Sequence, residues 1–257
     1  MWNTLILNPM VNILLWVYGL IGDFGIAIIL FTIFIRLITQ PLNMQQMRSM
    51  QAMQELQSSK EWLDMQKKFK DDKQKLQMAQ AKLMQDKKIN PFGSCLPMLI
   101  QLPVIFGLYQ ALGRAMAVTP TQLVDLTKRL YPFVNGASLI PIKSHFLWMD
   151  LSQPERVMVF GFGIPTLAIL VVLTQYLQGK LMTPTTPSSQ QDQTAQMSRM
   201  MNLYMPLFMG YIAYTLSSGL ALYFLVTNII SIIQYAAMGK MNWRNLLPKK
   251  ALPARTK

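Results

Sequence analysis

Apolar runs of about twenty residues recur along the chain, the length a helix needs to cross a hydrocarbon layer about 30 Å thick. Five are bounded by charge or turn signals: Gly22 to Leu42, Leu96 to Met116, Val157 to Leu177, Leu203 to Leu216 and Gly219 to Met238. With their flanks they predict spans over 22–42, 94–116, 157–178, 201–216 and 219–239. The fourth is short, and Leu216-Ser217-Ser218-Gly219 reads as a tight re-entry turn into the fifth. Ahead of the first, Leu5 to Leu20 is apolar but opened by Asn8-Pro9 and closed by Gly19 and Gly22-Asp23. It reads as an N-terminal interfacial amphipathic helix over 1–20, anchored by Trp2, Trp16 and Tyr18. The expected fold is an all-α polytopic membrane protein with five transmembrane helices.

Between the first two spans the pattern changes, and residues 43–93 read as a cytoplasmic helical hairpin. Met44 to Lys88 holds no Pro and no Gly and is rich in helix formers. As one rod these residues would reach roughly 68 Å at 1.5 Å per residue. A break near Phe69-Lys70-Asp71-Asp72-Lys73 is predicted to fold them into two antiparallel helices, the second ended by Asn90-Pro91-Phe92-Gly93. Met44, Met47, Met50, Met53 and Leu56 recur every three residues. This stripe either packs the first helix on the second or offers a soft capture surface for apolar segments. The lysines either keep a solvated face soluble or meet ribosomal RNA phosphates.

Composition agrees with the membrane reading: of 257 residues, 52% are hydrophobic and 14% charged, too apolar for an ordinary soluble domain. The net charge of +13 is not spread evenly. Ten Lys and Arg lie between Arg48 and Lys88, and six more follow the fifth span with no acid among them. The loop 117–155 has only Lys128, Arg129 and Lys143 against Asp125, Asp150 and Glu155. By the positive-inside rule the hairpin and the basic tail 240–257 are cytoplasmic, the loop 117–155 extracytoplasmic, the N-terminus out and the C-terminus in. Phe146-Leu147-Trp148-Met149 reads as an interfacial anchor, and 179–200 as a flexible polar cytoplasmic loop. One cysteine, Cys95, and one histidine, His145, leave little room for a disulfide framework, metal chemistry or histidine catalysis. No enzyme activity, metal, cofactor or small-molecule substrate is expected. The start lacks a secretory or organellar targeting pattern, so the N-terminus is expected to be mature as written.

The candidate chemistry lies at membrane depth. Arg36 sits two-thirds along the first span, with Thr32, Thr39, Gln40 and Asn43 at helical spacing on its face. In the fifth span Tyr223, Thr227, Ser231 and Gln234 or Tyr235 share a face, adjoined by Asn228. Gln101 lies between Pro97 and Pro103 in the second, and the third ends in Thr174-Gln175 and Gln178. A central charge costs roughly 2.5 to 3.5 kcal/mol on insertion scales. Beyond Asp23 at the edge of the first span, no acid lies in any span to offset it. Arg36 either snorkels to the cytoplasmic headgroups or faces a wet interior whose counter-ion comes from outside the protein.

Specific strings resemble the YidC/Oxa/Alb family of membrane protein insertases. Asn90-Pro91-Phe92-Gly93 through Tyr109 is similar to the family's second-span signature, and Ile35-Arg36-Leu37-Ile38 to Pro41-Leu42 to its first. Ser218-Gly219-Leu220-Ala221-Leu222-Tyr223, with Asn228 and Ser231-Ile232-Ile233-Gln234, is similar to its last. The resemblance implies a five-helix core with a hydrophilic groove open to cytosol and lipid and closed to the outside, with Arg36 at its heart. It further implies that a substrate's hydrophilic outer segment enters the groove while its apolar helix partitions into lipid. Groove residues under this reading are Arg36, Thr32, Thr39, Gln40, Gln101, Gln175, Tyr223, Thr227, Asn228 and Ser231; Met44, Met47, Met50 and Met53 form the capture hairpin. Phe224 stands where many members carry Trp. The implied partners are nascent membrane proteins, the lipid bilayer, the ribosome and the Sec translocon. The chain ends resemble a short bacterial form without a large periplasmic domain, which implies a multi-pass protein of the bacterial plasma (inner) membrane.

Three rival readings make distinct demands. An ion or anion transporter using Arg36 as its site would show paired repeats with matching broken helices, which are not visible. An intramembrane protease built on Ser217 or Ser218 needs a histidine at membrane depth, and the only one is His145. A purely structural assembly protein has no need of the polar stripes.

Overall fold

The computed structural model describes residues 2–69, 72–89, 96–115, 120–132, 134, 142–159, 162–182 and 193–238. The turn at 90–95, the middle of the expected loop at 183–192 and the tail at 240–257 lie outside the described residues. A π-helical turn, Asn3–Leu7, runs into α1 (Asn8–Ile21), and α2 follows as one helix of 35 residues, Phe24–Ser58. Then come α3 (Lys60–Lys68), α4 (Lys73–Asp86), α5 (Leu96–Ala115) and α6 (Pro120–Thr127). Two antiparallel hairpins, β1 (His145–Phe146) with β2 (Met149–Asp150) and β3 (Val157–Val159) with β4 (Phe162–Ile164), precede α7 (Thr166–Met182). The last two helices are α8 (Gln193–Thr215) and α9 (Ser218–Ala237).

The burial pattern is that of a protein in lipid. Asn12, Thr32, Ser218, Thr227, Asn228 and Ser231 are buried, while Ile26, Leu30, Ile33, Phe34, Leu37 and Ile38 form an exposed apolar stripe along α2. Exposed apolar side chains also line α7 and α8, among them Leu173, Leu207 and Phe208. So much apolar surface would be a liability in water and is what a hydrocarbon solvent requires. Among the described residues, Asn3–Ile21, Phe24–Ser58 and Ser218–Ala237 are helical stretches long and apolar enough to cross a membrane.

The bundle has two unlike ends. At the loop pole α2, α7 and α9 begin and α5 and α8 end, with β1 packed on α2 and β2 on α9. The Phe146 ring lies where a Cβ on Gly25 would stand, so only glycine lets the loop sit on α2 there. At the hairpin pole α3 adjoins the extended α2 and α4 returns along α3, tied by Lys87–Glu61 at 2.9 Å.

Several elements depart from the expected ones. The first span has no boundary at Leu42, because α2 continues through Pro41, whose missing N–H removes one rung without breaking the rod. The helix instead breaks at Ser59, which takes an extended backbone and accepts a hydrogen bond from Trp62 N as the cap of α3. The break expected near Phe69 is present: α3 ends there, and Asp72 caps α4 by accepting from Lys75 N. These bonds and the neighbouring Lys75 ammonium hold the Asp72 carboxyl below the usual carboxylate range.

The third span opens as a β-hairpin rather than a helix. Val157 pairs with Ile164 and Val159 with Phe162, and Pro165 then keeps Ile164 extended. The helix α7 starts at Thr166 and runs to Met182. The polar loop is shorter than expected, since α8 begins at Gln193.

Nor does α1 lie alone. Leu7, Leu14, Leu15 and Tyr18 are buried in the common core. Tyr18 is therefore a packing residue: its ring meets Phe24 edge-on at 5.6 Å and its hydroxyl accepts from Lys143 N. Trp2 and Trp16 keep exposed faces. The fully buried Asn12 donates to the Arg129 carbonyl and accepts from Tyr131 N, pinning the loop after α6 to α1. The anchor tetrapeptide divides as well, with Leu147 and Trp148 exposed at the hairpin tip and Met149 buried.

Candidate functional site

Helix α9 is the hub of the polar interior, and its face meets three other helices at successive depths. Nearest the loop pole, Gln101 Nε2 on α5 donates to the Tyr223 hydroxyl at 2.7 Å. One turn deeper, Arg36 Nη2 on α2 donates to the Thr227 carbonyl at 3.4 Å, and Ser231 Oγ donates to that same oxygen at 2.8 Å. On the α7 side, Asn228 Nδ2 donates to Thr174 Oγ1 at 3.1 Å. Towards the hairpin pole, Gln234 Nε2 donates to Gln40 Oε1 at 2.6 Å. The spacing explains the arrangement, because residues 223, 227, 231 and 234 fall on one side of a helix with 3.6 residues per turn.

The remaining polar residues of α2 complete its face without reaching another helix. Thr32 Oγ1 donates back to the Ile28 carbonyl at 2.6 Å. Thr39 Oγ1 donates to the Ile35 carbonyl at 2.9 Å and accepts from Asn43 Nδ2 at 3.2 Å. Such back-bonding satisfies a hydroxyl within its own helix. Gln175 lies half-buried beside Thr174 on α7.

Arg36 is half-buried and turned into the bundle, where its hydrogen bond is a single long one. Among the described residues the ion pairs are Lys67–Asp64, Lys75–Asp72, Lys87–Glu61 and Arg129–Asp125, none of them involving Arg36. A guanidinium has five N–H donors, so most of this one's capacity is open to an incoming acceptor. One further buried atom adds to the unsatisfied polarity: Gln178 Oε1 has no hydrogen-bond partner. Polar groups of this kind are costly in an apolar interior unless water or a ligand meets them.

The methionine stripe lies apart from this site, on the part of α2 beyond Pro41. Met44 is exposed, Met47 and Met53 are half-buried, and the Met50 side chain lies outside the described residues. Leu56 and Trp62 are buried in the hairpin's own small core.

Sequence reasoning missed two features at the loop pole. Glu155 is buried and accepts from Trp148 Nε1 at 3.1 Å, from the Thr166 hydroxyl and from Leu167 N at 2.9 Å, placing a carboxylate at the start of α7. Asp150 is partly buried, which would raise its pKa. Hydrogen bonds from Ser152 N and Oγ, the Ser144 hydroxyl and the proximity of His145 outweigh that and hold it below the usual range.

A helical membrane protein with a buried polar face on its last helix and an unpaired arginine opposite is the class these observations define. The 60Kd inner membrane protein family model matches residues 16–245, and the chain belongs to that family. The chain is 36% identical over 223 residues to the membrane protein insertase YidC of Caldanaerobacter subterraneus subsp. tengcongensis, covering 87% of this chain and 88% of that one. It is 34% identical over 240 residues to that of Syntrophobacter fumaroxidans, covering 91% of this chain but 37% of the relative. Among solved structures, a crystal structure of an active YidC insertase with its first transmembrane domain resolved is similar, with a TM-score of 0.58 and 27% identity. The match covers 91% of this chain and 47% of that one. The chain thus spans about a third to a half of its longer relatives and nearly all of the shorter one.

Proposed function

We propose that the protein is a membrane protein insertase, working without covalent chemistry. The relatives' names support this reading over ion or anion transport. In it, five helices cross the bacterial plasma membrane, with the loop pole outside and the hairpin pole in the cytosol, as the distribution of Lys and Arg supports. Helix α1 packs along α2 and α5; its Met10 meets α5 at Gly107, Asn12 holds Arg129 and Tyr131 of the following loop, and Tyr18 accepts from Lys143 N. That supports a position at the outer interface.

The observation that carries the mechanism is Arg36, half-buried beside the polar face of α9 and lacking an acidic partner. A substrate's hydrophilic outer segment enters from the cytosol and meets Arg36, Thr39, Gln40 and the 227–234 face. Its apolar helix meanwhile moves into lipid, driven by apolar burial. The membrane potential assists an acidic tail by about 2.3 kcal/mol per charge per 100 mV. Met44, Met47, Met50 and Met53 offer the approaching segment an adaptable surface. The basic hairpin and tail meet the ribosome or anionic lipid, and the Sec translocon is a further partner.

The test is insertion of a small single-span protein with an acidic outer tail into liposomes containing the purified protein. Arg36→Ala loses insertion and Arg36→Lys retains it if positive charge is the working element. Normal insertion by Arg36→Ala would sink the reading.

A further inference from the structure

The polar face of α9 stops abruptly towards the loop pole, and what closes it there is a loop. Ser218 is fully buried, and its Oγ lies within hydrogen-bond reach of two carbonyls, Asp150 at 2.5 Å and Gln153 at 2.8 Å. Ser218 N donates to the same Gln153 carbonyl at 2.9 Å, and Gly219 N donates to the Leu151 carbonyl at 3.1 Å. These amides belong to the first turn of α9, where backbone donors have no partner within the helix. The turn at 150–153 satisfies them.

Between those bonds Leu151 is fully buried, and its own amide donates to the Ser144 carbonyl at 2.9 Å. A Cβ on Gly219 would stand 3.2 Å from Leu112 Cδ1 on α5, 3.2 Å from the Leu151 carbonyl and 3.3 Å from Ile28 Cδ1 on α2. Three helices and the loop thus converge on one glycine, where even a Cβ fits only if a neighbour gives by a few tenths of an ångström. Ile28 and Gly219 each lie eight residues before Arg36 and Thr227, so the convergence stands about 12 Å along the helices from that contact.

We propose that the 150–153 turn is the seal that makes the cleft one-sided, with Leu151 as its plug and Ser218 and Gly219 as the residues that position it. This rests on the proposed function, in which the face formed by Arg36, Gln40 and residues 227–234 is a wet cleft. A cleft with an unpaired arginine would conduct ions if it also opened at the loop pole. The seal hangs on backbone carbonyls of a loop as well as on helix packing, so a few side chains decide whether it closes.

The experiment reads sidedness. Thr39→Cys, in a Cys95→Ser background that keeps Arg36, is placed in vesicles of defined orientation. A membrane-impermeant maleimide is then added to one face at a time. The parent is expected to label from the hairpin-pole face alone. Leu151→Ala with Ser218→Ala is expected to raise labelling from the loop-pole face by tenfold or more, and Leu151→Met, which keeps the plug's bulk, to remain one-sided. Loop-pole labelling at the parent rate in Leu151→Ala and Gly219→Val, both still folded by gel filtration, would overturn the seal. If the double variant does not fold, Ser218→Ala alone is read in the same way. Parent protein that resists labelling from the hairpin-pole face contradicts the wet cleft, whatever the loop-pole face reports, so the two readings fail separately.

Discussion

The two halves of α9 are built differently. From Ser218 to Phe224 every residue is buried, and the helix start is tied to the 150–153 carbonyls. From Leu225 onward, buried Thr227, Asn228, Ser231 and Tyr235 alternate with exposed Ile229 and Ile233. Here the ties to other helices are single side-chain bonds to Thr174 and Gln40 and one long bond from Arg36. Interhelical polar bonds of this kind average about 0.6 kcal/mol. Close packing at the other end is worth several times that per side chain. The first half therefore holds the bundle together, while the second can exchange partners at small cost.

Substitutions can break or sharpen that contrast. The largest loss of stability is expected for Gly219→Val, which overfills the convergence and costs about 3 kcal/mol, read as a lower unfolding midpoint in detergent. Glu155→Ala, which strands Trp148 Nε1, the Thr166 hydroxyl and Leu167 N, is expected to cost about 2 kcal/mol by the same measurement. Tyr223→Phe removes the acceptor of Gln101 Nε2 at the border between the halves, for about 1 kcal/mol. Gln234→Ala is expected to cost about 0.6 kcal/mol or less, and to slow substrate insertion more than it lowers stability. If it instead destabilised as strongly as Gly219→Val, the contrast would collapse.

Acid gives the smallest effect. The folded-state pKa of Asp150 is depressed, so its ionised form stabilises the fold above the ordinary carboxylate pKa, and that share is lost as pH falls through the depressed value. The unfolding midpoint of the parent should fall more below about pH 4 than that of Asp150→Asn.

Much of this was legible in the sequence for a physical reason. A polar residue repeated at helical spacing within an apolar run can only face the interior, and Tyr223, Thr227, Ser231 and Gln234 announced their side of α9. Periodicity left Arg36 either snorkelling or facing inward; only the family resemblance grouped it and Gln40 with that face, to which the structure bonds both. Periodicity failed where a stretch was apolar throughout. Val157 to Ile164 is as apolar as a span, and only Gly161, Gly163 and Pro165 marked it as a hairpin. At Ser58-Ser59 the signal was a capping serine without Gly or Pro, easily passed over in a strong helix former. Leu151 carried no local signal, since a leucine in a loop becomes a plug only through chain more than sixty residues away.

The separations along the chain also set an order of assembly. Ser218 finds its carbonyls 65 and 68 residues upstream, Tyr223 meets Gln101 across 122, and Thr227 meets Arg36 across 191. At a synthesis rate of about 5–20 residues per second, Arg36 waits on the order of ten seconds or more for its partner carbonyl. Until α9 emerges, the polar stripe of α2 has only its own backbone and water to bond with. The last of the described helices to be made is thus the one that brings Arg36 and Gln40 their partners on α9.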